Sequence, residues 1–369
     1  VKASDRSRLR RARLAALGLS PPLGTRAGPA SALSVVRSLG AVQAQDYASG
    51  AWSLGVRSGL TLAQVEQAVT DREIVRTWPM RGTIHWVAAA DARWMCQLLA
   101  AARLRSLAGR YRQLGITEHD IALAGELFEA HLEAPLSRPD VVALLAAHGI
   151  DPSDQRAYHL VGHHCMTGLL CQGPLIGRQP SFVLIDHWVP HSLAPTREEA
   201  MATVVERYVR SHGPVTENDV AGWLLQPLGF TREALALVEA RLEREEVDGQ
   251  VWLTHVDAPP VAGPAGVHLL PQWDEFLLGY KSRELTLPPE HVAKVVPGRN
   301  MVFQPSLVID GEVAGLWRRR EARSRVVVVV GVEPFAALSA SRRREVERAV
   351  AAYGRYLGRD VDALVVGSG

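Results

Sequence analysis

Gln43 and Gln45 flank a single alanine in LGAVQAQDYASGAW, the stretch from Leu39 to Trp52. An amide carries no charge and no useful pKa, but it offers one acceptor oxygen and two donor hydrogens. Two of them at this spacing, where a helix is expected to end, can cap backbone groups. They can equally hold a polar partner that must be oriented rather than protonated.

The second concentration of chemistry is cationic. Arg318, Arg319, Arg320, Arg323 and Arg325 crowd GLWRRREARSRVVVVV between two β-rich runs, which predicts a basic hairpin tip. Only Glu321 is close in sequence as a counter-charge, so solvent or a polyanion must relieve the repulsion. Such a hairpin can lie along phosphates or enter a minor groove. Trp317 beside it is expected to add a stacking or wedging surface. Arg76 and Arg81 flank a predicted Trp-Pro turn in VRTWPMRGTIHWV, and a wing there would touch phosphates. In LLPQWDEFLLGYKSRE, Asp274, Glu275, Tyr280, Lys281 and Arg283 form a polar group that either lines a site or pairs internally as salt bridges.

Other chemistries lack their signatures. There is no G-x-S-x-G, H-E-x-x-H, Walker A or strand-linked G-x-G-x-x-G. Cys96, Cys165 and Cys171 are odd in number and lack a C-x-x-C, which argues against a disulfide framework. His163, His164 and Cys165 invite a zinc reading, but four ligands in paired spacing are missing, and a half-buried helix face is expected instead. Neither a metal nor a cofactor is expected. The net charge of +2 does not announce a nucleic-acid binder. The preference for arginine over the three lysines Lys2, Lys281 and Lys294 fits a GC-rich genome, so only local clusters carry information. No apolar run reaches membrane-spanning length, and a cytoplasmic, nucleoid-associated, monomeric protein is expected.

The elements that must position these residues repeat. The pattern predicts helices at Ser7–Leu17, Ser31–Val42 and from Thr61, then a strand over Arg81–Val87. A second round has helices near Asp91–Leu107, Glu118–Leu132, after the Ser137 cap, and over Tyr158–Leu170, ending in a two-stranded wing. A third has TREEAMATVVERYVRSHG, a helix capped by Thr216, a helix over TREALALVEARLEREEV, and a hairpin opened by Asp-Gly. Helix, short helix, helix and hairpin is the winged-helix order. After the Pro/Gly-rich DAPPVAGPAG, strands are expected at VHLLP, VAKVV, PSLVID, EVAGLWRRR and RVVVVVGV, followed by a closing helix. The predicted fold is α+β, with three tandem winged-helix motifs around a C-terminal β-barrel or curved sheet. The expected boundaries are 1–90, 91–192, 193–257 and 258–369.

AVQAQ, RTWPMRGTIHW, GPVTENDVAGWL, LLPQWDEFLLGYKSRE and the Arg-rich hairpin together resemble the bacterial winged-helix DNA glycosylases of the AlkZ type, over nearly the whole chain. That family unhooks azinomycin-type interstrand crosslinks. The resemblance implies three winged helices around a β-barrel, double-stranded DNA carrying alkylated or crosslinked guanine as substrate, and a catalytic Gln–apolar–Gln motif falling on Gln43, Ala44 and Gln45. Alkylation at guanine N7 leaves a cationic base, so departure needs no general acid. What remains is to place a water and to stabilise an oxocarbenium-like sugar, tasks within the reach of two oriented amides. Two other classes share the pattern: a winged-helix regulator without chemistry, and a resistance protein that sequesters the drug.

Overall fold

The computed structural model describes residues 2–23, 30–298, 302–321 and 328–365. Arg323 and Arg325 lie outside the described residues. Among those described, one order of elements occurs three times. After α1 (Ala3–Ala16), the first repeat runs α2 (Ala32–Leu39), β1 (Val42–Gln43), α3 (Tyr47–Ser58), α4 (Leu62–Thr70), β2 (Ile74–Met80) and β3 (Thr83–Ala88). Helices α5 (Ala92–Leu99) and α6 (Ala101–Gln113) lead to the second: α7 (Glu118–His131), β4 (Leu136–Ser137), α8 (Arg138–Ala147), α9 (Arg156–Met166), β5 (Leu170–Gln172) and β6 (Ser181–Leu184). Beyond the short α10 (Ile185–Trp188), the third runs α11 (Arg197–His212), a bridge at Val215, α12 (Glu217–Leu224), α13 (Leu228–Leu237), β7 (Leu242–Val247) and β8 (Gln250–His255). In each repeat the first extended residue pairs with the last strand: Val42 with Trp86, Leu136 with Phe182, Val215 with Leu253.

Local chemistry sets these boundaries. Thr61, Thr117, Thr196 and Thr216 each accept the N–H three residues on and are bonded in return, closing capping boxes. Ser137 caps α8, with proline in its first turn. Asp248 and Gly249 both take positive φ, 52° and 73°, the backbone that a two-residue hairpin turn requires.

Beyond the third repeat come β9 (Val267–Leu270), α14 (Glu275–Leu278), α15 (Val292–Val295), β10 (Ser306–Ile309), β11 (Glu312–Glu321), β12 (Val328–Pro334), α16 (Ala340–Leu357) and β13 (Val361–Val365). Their sheet order is β13-β12-β11-β10-β9. The two ends are not paired with each other among the described residues, so of the expected barrel or curved sheet the chain forms an open half-barrel. Helix α16 packs on both edge strands and occupies the opening.

Several expectations are corrected. VAKVV is helical, because Pro289 opens a 3-10 turn that runs directly into α15. The helix expected over TREALALVEARLEREEV stops at Leu237, and LEREEV is strand β7. Trp78 and Pro79 are not a turn; they lie within β2 at a register shift, where a proline costs no ladder hydrogen bond. Helix α3 was not anticipated, because Gly50 and Gly55 depress its helix propensity. Both glycines answer close approaches: a Cβ on Gly50 would sit 2.8 Å from Ala44, and one on Gly55 2.5 Å from the Tyr356 ring. Among the described residues no helix is long and apolar enough to cross a membrane.

The hairpins of the first two repeats merge into one sheet, ordered β1-β3-β2-β5-β6-β4, joined where Arg76 lies opposite Gln172. One apolar core runs through the first repeat, the third and the C-terminal sheet, while the second repeat keeps its own core around Phe128, Leu145 and Leu160. Two cores hinged on a shared sheet leave a cleft between them. The His163–Cys165 face of α9 belongs to the second repeat: His164 Nε2–H donates to the Ile121 carbonyl at 2.9 Å, and Cys165 is fully buried.

Candidate active site

The Gln–Ala–Gln segment does not end a helix. Helix α2 stops at Leu39, three residues earlier than its apolar spacing suggested, because Gly40 turns away at φ 81°. Val42 and Gln43 then pair with Trp86 and His85, and Asp46 caps α3 by accepting the Ser49 N–H at 2.8 Å. Gln43 therefore ends the strand, and Ala44 and Gln45 form a short loop between it and the cap.

The loop is tied at every backbone step. Gln43 Oε1 accepts the Gln45 N–H at 3.1 Å, and Gln45 Oε1 accepts the Ile84 N–H at 3.1 Å. Ala44 donates to the Ile84 carbonyl at 2.8 Å, and its own carbonyl accepts from Arg76 Nη2 at 2.8 Å. Both amide oxygens thus face main-chain donors, which sets the orientation of each amide. The Nε2 ends have no hydrogen-bond partner among the described residues. Gln43 is 6% exposed, whereas Gln45 is exposed.

Beneath the loop lies a buried ionic group. The Gln43 N–H donates to Glu275 Oε1 at 3.3 Å, and Trp223 Nε1–H donates to Oε2 at 2.8 Å. Arg81 Nη2 lies 3.6 Å from Oε1, and His212 Nε2 lies 3.5 Å from Oε2. Burial on its own would raise the Glu275 pKa. The facing His212 and the Arg81 charge outweigh it and hold the carboxyl at about 2. His85 is lowered too, to about 3, by burial and by the neighbouring Arg81 charge, and for an imidazole this favours the neutral form. Its neutral ring donates from Nδ1 to the Thr83 carbonyl at 2.9 Å and accepts from Arg81 Nη2 at 2.9 Å. Glu275 is fully buried, and charge of this kind inside a protein has to be paired to be tolerated.

The remaining predicted residues divide sharply. Arg81 is corrected from a DNA contact to an internal ion. Together with Gly82 it takes positive φ in the β2–β3 turn, and its guanidinium folds back toward His85, Glu275 and the Leu278 carbonyl. Arg76 is 6% exposed and braces the loop between the Tyr47 and Trp86 rings, and burial lowers its pKa only to about 10. Asp274 pairs with Arg57 at 2.7 and 2.8 Å and accepts from Ser53, locking α3 to the C-terminal region. Tyr280 is corrected from a site-lining residue: it is buried under Arg13 and its hydroxyl donates to the His212 carbonyl at 2.9 Å. Lys281 is exposed, and its backbone N–H donates to Asp219. Trp317 offers no stacking face; it is buried and donates to the Leu270 carbonyl at 2.7 Å. Arg318 and Arg320 are exposed on β11 without an ion pair among the described residues, whereas Arg319 donates to the Tyr353 hydroxyl at 3.2 Å. Asp46, next to Gln45, lies within electrostatic reach of both Arg319 and Tyr353.

Two features had no usable signal in the sequence. Glu275 is one acid among several in its stretch, and only the fold selects it. The cleft between the first two repeats, about 570 Å³, opens at Gln45 and Tyr47 and runs toward α8 and α9.

Comparisons with known proteins agree on one family. A model of the AlkZ-like DNA glycosylase family matches residues 36–356. A protein of Streptomyces sahachiroi named an interstrand DNA cross-link repair glycosylase is 27% identical over 306 residues, covering 78% of this chain and 82% of its own. The solved structure of the Streptomyces sahachiroi DNA glycosylase AlkZ is similar over 99% of this chain and 100% of its own, with a TM-score of 0.80 and 25% identity.

Proposed function

The chain belongs to the AlkZ-like DNA glycosylases, and from that premise we propose that it hydrolyses the N-glycosidic bond of N7-alkylated guanine in double-stranded DNA and so unhooks interstrand crosslinks. The observation that carries the reading is the tethered loop. Gln43 and Gln45 have their oxygens held by main-chain donors and their Nε2 groups left without a partner among the described residues, and Gln45 lines a cleft. Each oxygen keeps a second lone pair. A water held between the free donor of one amide and the free lone pair of the other is oriented without being ionised. Preorganised dipoles of this kind stabilise developing charge at no cost of reorganisation during the reaction.

The leaving group explains why this is enough. A cationic alkylguanine departs with the bonding electrons and becomes neutral, while the sugar acquires oxocarbenium character, and water adds to it and releases one proton to solvent. No general acid is required. His85 is buried and neutral, and Glu275 serves the loop from below, so neither is presented to the base. The three repeats are read as tandem winged helices, with the exposed Arg318 and Arg320 on phosphates. The similarity to a crosslink-repair glycosylase supports the substrate class.

The test is release of N7-methylguanine from duplex DNA by Gln43→Ala and Gln45→Ala. Each is expected to be slower by about 10²-fold, the loss typical of removing one preorganised polar group. Abasic sites must appear with the wild type. Unchanged release in both variants overturns the assignment.

A further inference from the structure

We infer that the cleft between the first and second repeats receives the substituent that the alkylating agent leaves on guanine, a flat and largely apolar group, and that it sets which adducts are released fastest. The inference rests on the reaction proposed above. A substituent on N7 begins within a few bonds of the glycosidic bond, so it must leave the reaction centre through space adjoining Gln45. The cleft adjoins it: Gln45, Asp46 and Tyr47 form its mouth, and it extends between α8, α9 and the shared sheet. Its volume of about 570 Å³ is far more than a methyl group needs. It falls in the range of pockets that enclose drug-sized molecules.

The walls define the chemistry of the occupant. Tyr47, Trp78, Tyr158 and Phe182 line it, together with valines of α8 and α9, which favours planar rings over flexible polar chains. Three guanidiniums, those of Arg76, Arg138 and Arg178, disfavour a cationic substituent. Arg138 and Arg178 are exposed at the rim without an ion pair among the described residues, placed for strand phosphates beside the adduct. On the floor, Arg76 Nε and Gln172 Oε1 stand on paired strands without a hydrogen-bond partner among the described residues.

The experiment compares single-turnover release of N7-methylguanine with that of an N7-guanine adduct bearing a naphthylmethyl group, in the same duplex. The wild type is expected to release the aryl adduct about tenfold faster or more, the scale of discrimination by an apolar pocket. Val142→Trp, which fills the cleft from α8, and Tyr158→Ala, which removes an exposed wall ring, should each lower the aryl-to-methyl ratio. Tyr158 is 39% exposed, so that variant keeps the test open if the larger side chain prevents folding. A wild-type ratio near one, or a ratio unmoved in the folded variants, overturns the inference. Gln45→Ala separates the two claims. If it stops both releases while the wild type does not distinguish the adducts, only the cleft assignment falls. If release is unchanged in both Gln43→Ala and Gln45→Ala, the reaction assignment falls and takes this inference with it.

Discussion

The first and third repeats share one order of elements and differ at the junction before the second helix and in the burial of the hairpin. In the third, the extended residue Val215 is followed at once by the cap Thr216, and Val220 four residues into α12 is fully buried. The second repeat does the same with Leu136, Ser137 and Val141. An apolar residue before the cap and another at the fourth helical position form a hydrophobic staple. In the first repeat Gln43, Ala44 and Gln45 stand between Val42 and the cap Asp46, and the fourth helical position is Gly50. A side chain there would collide with the loop, at 2.8 Å from Ala44 and 3.0 Å from the Gln43 carbonyl. The hairpins diverge in parallel: β2 is buried along its whole length, whereas β7 is mostly exposed. A three-residue insertion, a staple given up for glycine and a hairpin drawn inside turn a structural unit into a candidate catalytic one.

The contrast can be broken most forcefully at Glu275. Glu275→Ala strands Arg81, Trp223 Nε1 and the Gln43 N–H in the interior and should lower stability by about 3–5 kcal/mol in urea unfolding. Glu245→Ala on the third hairpin removes an exposed pair with Arg8 and should cost under about 1 kcal/mol. Similar losses from the two would show that the first hairpin is no more dependent on its ions than the third.

Gly50 sharpens the comparison next. Gly50→Ala should slow base release about tenfold by displacing the loop, since small misplacements of positioning groups are costly to rate. Val220→Ala in the third repeat should do the reverse, costing roughly 2 kcal/mol of stability with release unchanged. Rate and melting measured side by side on the two variants decide it. Equal rates in both would detach the loop from catalysis.

The smallest effect is on pH. The folded protein holds His85 neutral down to about pH 3, whereas the unfolded chain takes up that proton near 6.5. Stability from this group is therefore complete above 6.5 and is lost as the pH falls toward 3. Glu275, held at about 2, adds a further loss between about 4.5 and 2. His85→Gln should lessen the dependence of the urea midpoint on pH between 6.5 and 5 by about one proton. An unchanged slope would show that His85 is protonated in the fold.

Much of the scaffold is legible locally. Ser137, Thr216 and the Asp248–Gly249 turn act on neighbours within a few residues, so their roles follow from residue type and spacing. Gln43 and Gln45 stood out by type, yet spacing alone could not tell a helix cap from a catalytic loop; the family resemblance made that choice. Tertiary structure decided the rest. Arg81 and Trp317 read as surface groups because arginine and a Trp beside arginines usually are, but a turn of positive φ aims one inward and the strand pleat buries the other. The partner that anchors the Gln43 backbone, Glu275, lies 232 residues away, and Asp274 meets Arg57 across 217. Residue types state what each group can bond to. Only the folded chain brings donors and acceptors so distant in sequence within reach, and buried ions must find such partners to be tolerated.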